Sequence, residues 1–280
     1  MKAHVAVGCR PGWQRRFVHA CGHTLLEMTI ALALGLIVTA GAVSLYRSQR
    51  IAFAKAADAA QIHDAAMTAL TLIGEQLQMA GFVSADMPRT FAARPALFGC
   101  TGGRPIGTDE NPSCEPLATR SDGVAVRYVA DSISTWPSAT GLATDCLGQG
   151  VAKTDADAPG VPVVNRFYAK VSGSTGEPEL YCEGTGKANS SQPLVEGVER
   201  VRLRYWLAGA SSAADAAALA PAQWASVVAV DLCVLVRGTP LTARTGYVDC
   251  DGVSMISSDM RVRRAFWRRV AIRNNEGSAT

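Results

Sequence analysis

The chain has 280 residues, 48% of them hydrophobic and 18% charged, with a formal net charge of +3. This fits a packed globular body plus one apolar segment and excludes a disordered chain. The basic excess lies in the first 22 residues, where Lys2, Arg10, Arg15 and Arg16 meet no acid; the remaining 23 basic residues face 24 acidic ones, so the body makes no electrostatic case for a nucleic-acid partner.

Sixteen residues from Met28 to Val43 carry no charge. Leu25 and Leu26 extend the run backwards, and Ser44 to Tyr46 extend it forwards. The run approaches the ~20 residues that span a bilayer. It is longer than the apolar part of a secretory signal peptide, usually about 7–15 residues. Glu27 stands at its front, where a charge in hydrocarbon costs on the order of 3 kcal/mol. A cut after Gly22 supplies a counter-charge. His23 becomes the N-terminus, and its ammonium lies one helical turn from Glu27 or meets that residue on a neighbouring subunit. The carboxylate also suits the positive end of a helix dipole.

From Ser44 to Ala80 there is no proline and one glycine, Gly74. Ile51, Ala54, Ile62, Ala65, Ala66, Ala69, Leu72, Ile73 and Leu77 fall near helical spacing, and Gly81 suits a C-terminal stop. The pattern predicts one helix over about 24–80. A separate soluble helix after a break near 41–44 is the alternative.

Beyond Gly81, short β-rich runs alternate with Gly, Pro, Ser and Asp clusters. "GVAVRYVADSI", "VVNRFYAKVSG", "PELYCEG", "VERVRLRYWLA" and "RRVAIRN" read as strands of a half-buried antiparallel sheet. "VVAVDLCVLV" is almost wholly apolar and reads as a central strand. "AGASSAADAAALAPAQW" reads as a loop or short helix beside Trp224. The fold class is α+β, a long helix on an antiparallel sheet with pinned loops.

Eight cysteines are present, Cys9 and Cys21 before the apolar run and six after it. Cys100, Cys114, Cys146, Cys182, Cys233 and Cys250 form no CxxC pair. An even set beyond a membrane segment suggests disulfides in an oxidising compartment. Six cysteines allow 15 pairings, and the sequence cannot choose among them. Pairing neighbours, 100 with 114, 146 with 182 and 233 with 250, is the working expectation.

Catalytic chemistry finds little to use. The histidines are His4, His19, His23 and His63, none of them in the head. A Ser-His-Asp or Cys-His arrangement cannot be built there. No P-loop pattern occurs. "KTDADAPG", with Asp155 and Asp157, has half the look of a calcium loop but lacks its later ligands. No cofactor and no metal are expected. "RVRRAFWRRVAIRNN" interleaves six arginines with Phe266 and Trp267 and could grip DNA. The favoured reading is a closing strand whose arginines pair with acids of the head.

"GHTLLE" before an apolar helix resembles the type IV prepilin signal. His23 stands where phenylalanine is usual, and Cys21 where a basic residue often precedes the glycine. The blocks "LQMAGF", "RSDGVAVRYVADS", "DCLGQG", "VVNRFY", "ELYCEG", "QPLVEGVERVRLRYW" and "RRVAIRN" resemble those of PilW-type minor pilins. The resemblance implies that an inner-membrane prepilin peptidase cuts after Gly22 and methylates His23. It implies that Glu27 neutralises the amine of an adjacent subunit during assembly. The chain then divides into a leader at 1–22, a transmembrane and filament-core helix at 23–46, an amphipathic helix at 47–80 and a β-rich head at 81–280. The implied role is a structural minor pilin that initiates a type IV pilus or forms its tip with other minor pilins, the major pilin and in some systems a large adhesin. The implied place is the bacterial inner membrane with the head in the periplasm, then the cell surface. A type II secretion pseudopilin is the near alternative, and a tip adhesin binding a ligand or DNA is another.

Overall fold

The computed structural model describes residues 24–83, 95–108, 111–131, 134–152, 160–240 and 244–274. Contacts divide the chain into two units, one ending at Ala54 and one starting at Lys55. Helix α1, Leu25–Met79, contributes to both. Its bounds lie one residue inside the predicted ones. Thr24 caps the start: its Oγ1 accepts the Glu27 N–H at 3.2 Å. At the other end Gly81 takes a φ of 75°, which favours glycine, and its N–H donates to the Arg127 carbonyl at 2.9 Å.

In the first unit every described side chain is exposed. Leu32, Leu36, Ile37 and Val38 all face outward. Even the hydroxyls turn inward on the helix. Thr29 donates to the Leu26 carbonyl at 2.8 Å and Thr39 to that of Gly35 at 2.9 Å. From Met28 to Val43 the surface is therefore almost wholly apolar.

In the second unit α1 buries Ile62, Ala66, Ala69, Leu70, Ile73, Gly74 and Leu77, a single stripe at helical spacing. Small residues in that stripe let the sheet come close. A Cβ on Gly74 would sit 3.6 Å from a Val270 methyl. The predicted Ile51 and Ala54 are exposed.

Among the described residues twelve strands follow in order: β1 Leu97–Cys100, β2 Gly103–Gly107, β3 Pro112–Pro116, β4 Gly123–Ala130, β5 Val161–Val171, β6 Pro178–Glu183, β7 Ser191–Glu196, β8 Val198–Leu207, β9 Val227–Pro240, β10 Gly246–Val248, β11 Ser254–Ile256 and β12 Arg261–Ala271. Two main antiparallel sheets form, ordered β1-β4-β5-β6-β7 and β12-β9-β8, with the hairpins β2–β3 and β10–β11 beside them. The apolar β9 is central, as its composition demands. The alanine-rich stretch becomes two 3₁₀ turns, Ala216–Ala218 and Pro221–Ser226, around the buried Trp224.

β4 departs from the half-buried expectation. Seven of its eight residues are buried, so both faces are covered. Strand β2 lies so near that a Cβ on Gly123 would run into Pro105.

The core gathers Ile62, Leu70, Ile73 and Leu77 of α1 with Val124, Phe167, Leu180, Leu203 and Leu232 of the sheets. Two adjacent residues join the sheets. Ser121 Oγ accepts the N–H of Ala169 on β5 at 3.3 Å and of Val201 on β8 at 3.0 Å. The Asp122 N–H donates to the Val201 carbonyl at 2.8 Å. Its carboxylate accepts the N–H of Leu203 at 2.9 Å and of Gly102 at 2.8 Å. Both residues are buried.

Candidate functional site

Among the residues predicted to act in processing and assembly, Gly22 and His23 lie outside the described residues. Glu27 occupies the third position of α1 and is exposed. Thr24 and Glu27 have the Thr-x-x-Glu spacing of a capping box, and the threonine half of it is made. The assembly reading alone overlooks this local role, although the pattern is legible in "HTLLE". The helix that follows is long and apolar enough to cross a membrane, with no buried residue in its most apolar window.

The structure brings the six distal cysteines together as Cys100–Cys114, Cys146–Cys182 and Cys233–Cys250. Each bond ties a short or irregular segment to a main sheet. Cys114 of β3 meets Cys100 of β1. Cys146, in a loop, meets Cys182 of β6. Cys250, in the β10–β11 turn, meets Cys233 of β9.

That last bond sets the turn's acids over the outer face of β8. There alternation puts Arg200, Arg202 and Arg204 on one side, and the opposite residues Val201, Leu203 and Tyr205 in the core. Arg202 reaches Asp122 at 3.0 Å, Asp215 at 2.9 Å and Asp251 at 2.8 Å. Burial pulls the Arg202 pKa down, but hydrogen bonds to these acids outweigh it, so the guanidinium is held more firmly charged than usual. Arg200 meets Asp251 at 2.8 Å.

The closing arginine strand is divided. Arg263 is forked between Glu199 at 2.7 Å and Asp259 at 2.7 Å. Arg261 meets Glu177 at 3.0 Å, and Arg269 meets Asp231 at 2.5 Å while lying 4.5 Å from the Trp206 ring. Arg264, Arg268 and Arg273 have no ion pair among the described residues. Half of the strand thus follows the pairing expectation. Asp155 and Asp157 lie outside the described residues; among those described, no cluster of three His, Cys, Asp or Glu could hold a metal.

These pairs carry a pH dependence. The hydrogen bond from Arg263 holds the Asp259 carboxyl below its ordinary value, Arg269 does so for Asp231, and Arg237 for Glu177. Burial raises the Asp251 carboxyl, but Arg202 and Arg200 bring it down overall. In the unfolded chain these groups return to about 3.8 for Asp and 4.5 for Glu. A depressed folded pKa stabilises above the unfolded value and ceases to do so as pH falls through the folded one. The melting temperature of the chain should hold near neutrality and fall progressively below about pH 4–5. A melting temperature independent of pH between 5 and 2 would show that these pairs contribute nothing measurable.

The model of the family described as "Type IV Pilus-assembly protein W", PilW, matches residues 166–274. The match covers residues 166–171 of β5 and every later strand, and so includes the arginine-bearing sheet, Cys182 and the whole Cys233–Cys250 bond. Among solved structures, the type IV-like pilin TTHA1219 from Thermus thermophilus is similar at 13% identity and a TM-score of 0.39, over 76% of this chain and 97% of that one. No curated protein matches the sequence. The segment similar to this family thus lies in a chain with a long apolar N-terminal helix, antiparallel sheets and three disulfides.

Proposed function

We propose that this chain is a minor pilin, a structural subunit that helps start a type IV pilus or forms its tip. The PilW match carries the reading. The exposed apolar stretch of α1 supports membrane storage before assembly. In this reading the leader is cut after Gly22 on the cytoplasmic side, His23 is methylated, and the head lies in the periplasm, where the three disulfides can form. Its partners are other minor pilins and the major pilin, with the prepilin peptidase as its processing enzyme. The role is structural and not enzymatic.

The test separates the charge of Glu27 from its place in the helix cap. Glu27→Gln keeps a capping-box side chain but removes the charge. Glu27→Ala removes both. Intact-mass measurement should show loss of residues 1–22 and a methylated amine in the parent and in both variants, while Gly22→Ala stays uncut. Surface pili should fall by at least tenfold in both Glu27 variants, because the partner's ammonium would stay uncompensated in hydrocarbon. If Glu27→Gln assembles like the parent, the residue is only a cap. A mature chain starting at or beyond Ala40 would point to an ordinary signal peptide instead.

A further inference from the structure

Trp136 is 90% exposed, more than any other large hydrophobic residue in the described chain. A tryptophan side chain offers about 150–250 Å² of contact area, which here stays in water. The backbone that carries it is fixed. The Trp136 carbonyl accepts the Thr144 hydroxyl at 2.6 Å, and Thr144 itself is buried. Just before it in the chain, the Ser134 N–H donates to Asp131 Oδ1 at 2.7 Å. The loop therefore presents the indole from a rigid base.

Trp136 borders a cleft of about 520 Å³ between the end of α1, the loop around residues 134–145 and the chain after β12. That volume is in the range of small-molecule sites, about 300–1,000 Å³. Polar side chains with unused capacity line it. The Glu75 carboxylate, the Gln78 amide and the Arg273 guanidinium have no hydrogen-bond or ion-pair partner among the described residues. Glu75 and Arg273 do not neutralise each other. Tyr128 also lines the cleft, with its side chain buried in the wall. It accepts from the Asn165 amide at 3.2 Å, so its own proton remains to donate. Burial holds it protonated, with its pKa pushed up to about 12.

We infer that this cleft binds a neutral glycan, stacking the C–H face of a pyranose on Trp136 while Glu75, Gln78 and Arg273 take its hydroxyls. A sugar ring joins an apolar face to a rim of groups that each donate and accept. The cleft supplies the complement: a flat aromatic plate beside an acceptor, a donor and an amide that is both. A nucleic-acid strand fits less well. Its bases would stack on the indole, but its phosphates would meet one arginine together with the Glu75 and Asp145 carboxylates. Nothing in this inference depends on the pilus reading.

The test titrates the full-length chain in detergent micelles with cellohexaose and with chitohexaose, read by calorimetry. Both present flat C–H faces. One or both should bind. Affinity should fall at least tenfold in Trp136→Ala, fall by several-fold in Glu75→Ala, and stay within about threefold in Trp136→Phe. Trp136 is too exposed for its replacement to disturb the fold, and an unchanged melting curve confirms this for each variant. The inference is overturned if neither hexasaccharide binds at millimolar concentration. It is equally overturned if Trp136→Ala binds like the parent, or if oligothymidylate displaces the bound sugar.

Discussion

Asp122→Ala is expected to destabilise the head by about 3–5 kcal/mol, the largest loss from any single side chain outside the apolar core. Asp122 is 2% exposed. Its carboxylate takes the N–H of Gly102, the N–H of Leu203 and the Arg202 guanidinium, at 2.8, 2.9 and 3.0 Å. Alanine leaves two N–H groups without an acceptor, at about 1–3 kcal/mol each when buried. Arg202 keeps Asp215 and Asp251, so its charge is not orphaned. The lost N–H acceptors therefore dominate over the lost ion pair. Asp122→Asn isolates this. It keeps the shape but turns one oxygen into a donor, so one N–H still finds an acceptor and the other meets an NH2 group. Its loss should fall between zero and that of alanine. Urea denaturation of the disulfide-intact protein, followed by circular dichroism, reads both. If Asp122→Ala keeps the parent's midpoint, the link between the sheets rests on Ser121, the backbone bond from residue 122 to Val201 and the apolar contacts, without the carboxylate.

How legible these features are in the sequence depends on the range of the interaction. α1 is legible because its stripe repeats within one element, from Ile62 to Leu77. β8 and β9 are legible because alternation in one and an unbroken apolar run in the other are local signals. β1, β2, β3, β7, β10 and β11 are not. They have three to six residues, many of them Gly or Pro, and disulfides or neighbouring strands hold them where propensity would not. β12 shows the same limit in its side chains: "RVRRAFWRRVAIRNN" reads as a closing strand and the strand does begin at Arg261, but which arginines find acids is not legible. The partners of those arginines are remote, since Arg261 finds Glu177 from 84 residues away. Alternation shows that Arg200, Arg202 and Arg204 share a face, but not which acids cover it. Asp122 sits in the recognisable block "RSDGVAVRYVADS", yet its burial follows only from the packing of two sheets. Trp136 lies in a loop without period, so nothing local shows that its ring stays in water.

Replacing both Cys146 and Cys182 by alanine is expected to lower stability by roughly 4 kcal/mol in the chain-entropy model. The separation is 36 residues, against 14 for Cys100–Cys114 and 17 for Cys233–Cys250. The entropic term grows only with the logarithm of loop length, so the two shorter loops should each contribute about 3 kcal/mol. Alanine is chosen because Cys182 is fully buried and a serine hydroxyl there would need a partner. For a head of this size the melting temperature should drop by roughly 8–16 °C. The loop around Cys146 has other anchors. Asn165 Oδ1 accepts the Cys146 N–H at 3.0 Å, and Asp145 accepts the N–H of Leu147, Gln149 and Gly186 at 2.9, 3.0 and 2.8 Å. These bonds form only in the folded state, whereas the disulfide also restricts the unfolded chain. The two contributions are therefore separable. Asp145→Ala, with the disulfide intact, should loosen the loop and speed amide exchange at Leu147 and Gln149. The double cysteine variant should lower the global midpoint and leave those amides protected below it. If instead the double variant melts with the parent, Asn165 and Asp145 hold the loop without help. The Cys146–Cys182 bond would then be a consequence of the fold rather than a support for it.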